Sequence, residues 1–96
     1  MNKKGGDVVG KWRRRDDWIG SQVEDSFVMI DLETGTYVDL NKTAAFSWEL
    51  LAEPHDESEI VDALCDHYDV DRDHCRSAVA AMLADMAQKR LIDAVA

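Results

Sequence analysis

With 96 residues, the chain has room for one domain and too little for two, and its 46% hydrophobic and 32% charged residues suit one small core in a soluble protein. No apolar run reaches the roughly 18–20 residues of a membrane span, and the charged N-terminus lacks the apolar stretch of a secretory signal, which excludes a membrane partner and makes the cytoplasm the expected compartment. The net charge of −9 is uneven: residues 1–17 hold six lysines and arginines against three aspartates, leaving −12 on the rest. Such a surface repels a phosphate backbone and tolerates a basic or neutral peptide.

Residues 1–17 show no apolar periodicity, and Gly5, Gly6 and Gly10 loosen them further, so they are expected to be a disordered basic tail preceding a domain over 18–96. Its bland reading is a solvated extension; its sharper one is a contact with an acidic partner or nucleic acid. Trp18, Ile19 and Val23 suggest a first strand, turning near Glu24-Asp25. Phe27 to Leu32 is rich in aliphatic and aromatic residues and reads as a second strand. Glu33-Thr34-Gly35 then fits a three-residue hairpin loop with glycine at the position of positive φ. Thr36 to Leu40 returns as the third strand, with Val38 and Leu40 on one face and Tyr37 and Asp39 on the other.

Asn41 fits an N-cap for a helix over Lys42–Ala52, whose buried stripe is Ala45, Trp48, Leu51 and Ala52 until Pro54 stops it. Asp56 and Glu59 have capping-box spacing and open a second helix with Ile60, Ala63, Leu64 and Tyr68 inward. Asp71 caps a long third helix ending near Arg90, with Cys75, Val79, Met82 and Met86 on one core face. Leu91-Ile92 is expected to fold back onto the core. The fold class is α+β: a three-stranded antiparallel sheet followed by three helices.

Catalytic and metal motifs are absent or broken. Cys65 and His67 are two apart on a helix and diverge, as do the adjacent His74 and Cys75, so no metal site is expected. Cys65 and Cys75 read as reduced, buried thiols. Asp69 to Asp73 starts like a calcium loop but places His74 where glycine is required and Ala80 where glutamate is. Ser26 opens a strand, not the helix that a carrier-protein serine would. No cofactor is expected and the chain reads as a non-enzyme.

The stretch Tyr37-Val38-Asp39-Leu40-Asn41-Lys42-Thr43-Ala44-Ala45-Phe46-Ser47-Trp48-Glu49-Leu50-Leu51 resembles the signature of the PqqD-like family. The second helix resembles its next block through Ile60, Val61, Ala63, Leu64 and Tyr68. The third does so through Val79, Met82-Leu83, Met86 and Leu91-Ile92. The resemblance covers about residues 18–93. Two positions depart: Ala78 stands where the family often has an acid, and Arg90 where it often has glycine.

The resemblance implies a winged-helix-like fold and a non-catalytic leader-peptide chaperone, also called a RiPP recognition element. Such a protein presents the leader of a ribosomally made precursor peptide to a modifying enzyme, such as a radical-SAM enzyme or a leader peptidase. The leader would add as a strand beside Thr36, Tyr37, Val38, Asp39 and Leu40, in a groove against the third helix. On that helix, Ser77, Ala80, Ala84 and Ala87 form a small-residue stripe that leaves room for a chain, with Val79 and Leu83 as an apolar floor. The bland reading of that stripe is helix propensity. Tyr37 either packs on the outer sheet face or frames the groove. Asp39 and Asp85 either pair with basic leader residues or are solvated, and Trp48 is a core residue. The alternative function is a winged-helix DNA-binding regulator, which the charge opposes; a third is a purely structural subunit. An exposed edge or swapped strand is also a route to a homodimer.

Overall fold

Lys11–Arg14 form a strand (β1), paired antiparallel with a C-terminal strand, β5 (Ile92–Val95), in the register Lys11↔Val95 to Arg14↔Ile92. This comes from a computed structural model that describes residues 10–95. The expected disordered tail over 1–17 is therefore corrected for residues 11–17, and its first nine residues lie outside the described ones. The reason is non-local. Trp12 packs half-buried on the core, while its N–H donates to the His55 carbonyl at 2.7 Å and its carbonyl accepts from the His55 N–H at 3.0 Å. Arg14 N–H donates to Leu51 O at 2.8 Å and Arg15 N–H to Leu91 O at 2.9 Å. None of these partners is near in sequence, so local periodicity carried no trace of them.

The tail's cations have structural roles. The Arg14 guanidinium lies 5.3 Å from the Trp48 ring centroid and donates to the Trp48 carbonyl at 3.3 Å. Arg15 binds both Asp17 and Asp93. Those bonds, that to Asp17 foremost, raise the Arg15 pKa, and the bond from Arg15 holds the Asp17 carboxyl below its ordinary range.

The main sheet is antiparallel, in the order β2 (Trp18–Val23), β3 (Ser26–Asp31), β4 (Tyr37–Leu40). One face is built from Trp18, Phe27, Met29, Val38 and Leu40, which meet across the strands and pack on the core. Gly20 keeps this face open: a Cβ there would stand 2.5 Å from the Phe27 ring. The second hairpin loop is one residue longer than expected, because Asp31 still pairs with Thr36 through an N–H···O bond of 2.9 Å. Its carboxylate accepts from Glu33 N–H and Thr34 O–H. Gly35 closes the loop at φ 74°, as its position required.

Three helices cover the inner side of the sheet. Helix α1 (Lys42–Leu50) is capped by Asn41, whose side chain accepts from Ala44 N–H. It buries Ala44, Ser47 and Trp48, with Leu51 just beyond its end; Ala45 is half-buried and Ala52 exposed, so the stripe sits one residue off the expected one. Buried Ser47 is satisfied by donating to Thr43 O at 2.9 Å. Helix α2 (Glu57–His67) opens with the full Asp56/Glu59 capping box and buries Ile60, Val61 and Leu64. Helix α3 (Arg72–Gln88) is capped by Asp71 and buries Cys75, Val79, Leu83 and Met86, with Met82 half-buried. Leu91 and Ile92 return to the core at 1% and 2% exposure. No helix among the described residues is long and apolar enough to cross a membrane.

Helix α3 ends in a Schellman motif. Leu91 N–H donates to Met86 O at 2.9 Å and Arg90 N–H to Ala87 O at 3.1 Å, with buried Leu91 over buried Met86. Arg90, at the position where glycine is common, adopts φ 63°. The backbone keeps the left-handed cap and an arginine bears its steric cost.

Candidate functional site

Strand β4 is an edge of the three-stranded sheet. Thr36 bonds to Asp31, and the register Met29↔Val38 and Phe27↔Leu40 turns Val38 and Leu40 toward β3 in the same way. Antiparallel pairing alternates, so the N–H and C=O groups of Tyr37 and Asp39 point away from the sheet. Among the described residues no strand pairs with them. An extended peptide can satisfy such a row.

Two clefts lie beside this edge. One, of about 600 Å³, runs between Thr36–Asp39 and the C-terminal end of α3, where Lys89 and Arg90 border it and Trp18 lies in its lining. The other, of about 330 Å³, continues past the end of β4. It is bordered by Asn41 and Thr43 on one side and Ala78, Val79 and Met82 of α3 on the other, with Tyr68 and Val70 closing its end. The first has a mixed polar rim; the second is largely apolar.

The residues expected to bind peptide divide into those at the clefts and those away from them. Thr36, Tyr37, Val38 and Asp39 border the first cleft, and Val79 contributes to the second. Leu40 is buried under the sheet at 9% exposure and Leu83 in the core at 2%. Ala80, Ala84 and Ala87 line neither cleft. Each stands two residues from a position that does, namely Ala78, Met82 and Lys89, and two residues on a helix point in nearly opposite directions. The core stripe of α3 has two flanks. The sequence shows the stripe but not which flank meets β4, and the structure sets the alanine-rich flank away from both clefts. Ala78, Met82 and Lys89 recur at helical spacing, a signal equally present in the sequence.

The remaining chemistry is structural. The Cys75 thiol is held above its ordinary range, by burial first and then by contact with the Cys65 thiol, so it is a neutral core group. His67 stacks on Phe46 at 4.7 Å, on a different side of α2 from that contact. The arginines of α3 are engaged by carboxylates, Arg72 by Asp62 and Arg76 by Asp73, and Lys89 at its C-cap is held by Asp85. A DNA-reading helix needs cations free for phosphate, and nothing in this face favours that function.

The PqqD family model, described as coenzyme PQQ synthesis protein D, matches residues 26–92. The chain belongs to the PqqD family. Its solved structural neighbours include TbiB1 in complex with the TbiA(beta) leader peptide, at 33% identity and TM-score 0.74, covering 88% of this chain and 98% of that one. A lasso peptide synthetase B1 complexed with the leader peptide, at 24% identity and TM-score 0.73, covers 85% of this chain and 96% of that one and shares the fold. No curated protein matches. Within this PqqD-family chain, the matched segment spans both β4 and α3, the two elements that frame the clefts.

Proposed function

We propose that the chain is a non-catalytic peptide chaperone that binds the leader of a ribosomally synthesised precursor by strand addition to β4 and presents it to a modifying enzyme. The observation that carries this reading is the outward-facing main chain of Tyr37 and Asp39 on an edge strand with clefts along α3. Family membership and the likeness to TbiB1, described with a leader peptide, support it. The ladder gives affinity without reading sequence, so selectivity falls to the clefts. The apolar cleft at Ala78, Val79 and Met82 suits an apolar leader side chain, while Asp39, Lys89 and Arg90 suit charged or polar ones. The modifying enzyme is of the class that acts on leader-bearing peptides, such as a radical-SAM enzyme or a leader peptidase.

The test is titration of labelled protein with a synthetic leader from a precursor encoded beside it, read by backbone amide shifts. Perturbations should concentrate at residues 36–40 and at 78, 82 and 89–90. Saturable binding with shifts on another surface would refute strand addition at β4.

A further inference from the structure

The outer face of the main sheet has an apolar composition that the main-chain ladder at β4 does not require. An antiparallel sheet with one solvated face normally alternates apolar-in and polar-out. Here the outward row across the three strands is Ile19, Ile30 and Tyr37, each paired with the next. Ile19 is 52% exposed and Tyr37 71%, and Val23 on the same face is 51% exposed. Val28 stands half-buried between Ser21 and Asp39 in the adjoining row. The three helices all lie on the opposite face, so the described residues leave this one bare. Clustered exposed apolar side chains on a small domain mark an interaction surface.

Charge narrows the occupant. The sheet with its turns, residues 18–41, contains Glu24, Asp25, Asp31, Glu33 and Asp39 and no lysine, arginine or histidine. Glu24 and Asp25 form the β2–β3 turn, Glu33 stands in the β3–β4 loop, and Asp39 lies on the face beside Val28. Among the described residues, none of these four is in an ion pair. The cations nearest the sheet are at its margin: Lys42 lines a pocket on the inner side with Glu24 and Asp25, Arg90 borders the cleft beside β4, Arg15 is held by Asp17 and Asp93, and Lys89 by Asp85. An isologous contact with a second copy would set these carboxylates against their own images. A complementary partner carries an apolar patch ringed by lysine and arginine.

We infer that the outer face of β2–β3–β4, centred on Ile19, Ile30 and Tyr37 and rimmed by Glu24, Asp25 and Asp39, docks the modifying enzyme through a basic-ringed apolar patch on that enzyme. The inference rests on the strand-addition reading and names the surface by which the bound leader is delivered. The face borders the edge strand, so an enzyme seated there lies next to the peptide without competing for its main-chain bonds.

Two variants avoid the leader-contacting residues: Ile19→Asp, and the double charge reversal Glu24→Lys with Asp25→Lys. Each is titrated with the synthetic leader and, separately, with the purified enzyme that processes that precursor. Leader affinity should stay within about twofold, while enzyme affinity falls by about tenfold or more for each variant. The wild-type complex should weaken as salt rises, and less so for the charge reversal. Unchanged enzyme affinity in both folded variants overturns the docking surface while strand addition stands. A wild-type dimer that Ile19→Asp converts to monomer overturns it in favour of a second copy. Absence of leader binding by the wild type instead sinks the strand-addition reading.

Discussion

The indole N–H of Trp18 donates to the carbonyl of Arg90 at 2.9 Å, joining the first residue of β2 to the left-handed cap of α3. Both residues border the cleft beside β4. The bond fixes the end of α3 against the sheet and so sets the width of the site. It also directs the carbonyl of a strained residue, since Arg90 holds φ 63°.

Glycine at position 90 would adopt the same backbone without the Cβ clash. Arg90→Gly should therefore stabilise the fold by about 0.5–1 kcal/mol, the relief at φ > 0 being partly offset by a more flexible unfolded chain. Trp18→Phe leaves the Arg90 carbonyl without its donor and removes one ring of a buried indole, and should cost about 2–3 kcal/mol. Urea unfolding of the two variants, which should shift the midpoint in opposite directions, checks both.

Proline scanning separates the two sides of β4. Proline at position 39 deletes an N–H that points away from the sheet, and edge strands tolerate proline. Asp39→Pro should leave the fold intact and weaken leader binding by about tenfold or more. Val38→Pro removes an N–H directed at β3 and should destabilise the domain itself by about 2–3 kcal/mol. Circular dichroism melts alongside a fluorescence-anisotropy titration distinguish these outcomes.

The flank of α3 that faces the peptide can be tested by bulk. Ala78→Trp should fill the apolar cleft and raise the leader Kd by about tenfold, whereas Ala84→Trp, on the other side of the helix, should change it by less than about twofold. The reverse result would place the peptide on the alanine stripe at positions 80, 84 and 87.

Acid stability should depend on Asp17. Its carboxyl is held below the ordinary range in the fold, chiefly by the bond from Arg15. The unfolded chain therefore takes up this proton first as pH falls. The contribution is complete above the ordinary carboxylate pKa of about 4 and is lost as pH drops through the folded value. Asp17→Asn should flatten the acid limb of a stability-against-pH curve, measured by urea midpoints, and alter the neutral limb little beyond a constant offset. The pair is solvent-accessible, so the effect is small and shrinks with added salt.

What the sequence determined by itself was whatever local chemistry dictates. Asn41, Asp56 with Glu59, and Asp71 each cap the helix that follows, because a side-chain acceptor one turn from orphan N–H groups acts within four residues. Gly35 closes its hairpin, and strand alternation put Val38 and Leu40 inward and Tyr37 outward. Contacts between distant segments were decided only by tertiary structure. The β1–β5 pair joins residues 11–14 to 92–95, and neither four-residue strand has a pattern long enough to register alone. The same holds for α3: periodicity marked its buried stripe, but which flank meets β4 depends on how the helix is set against the sheet, and that is fixed by bonds such as Trp18 to Arg90.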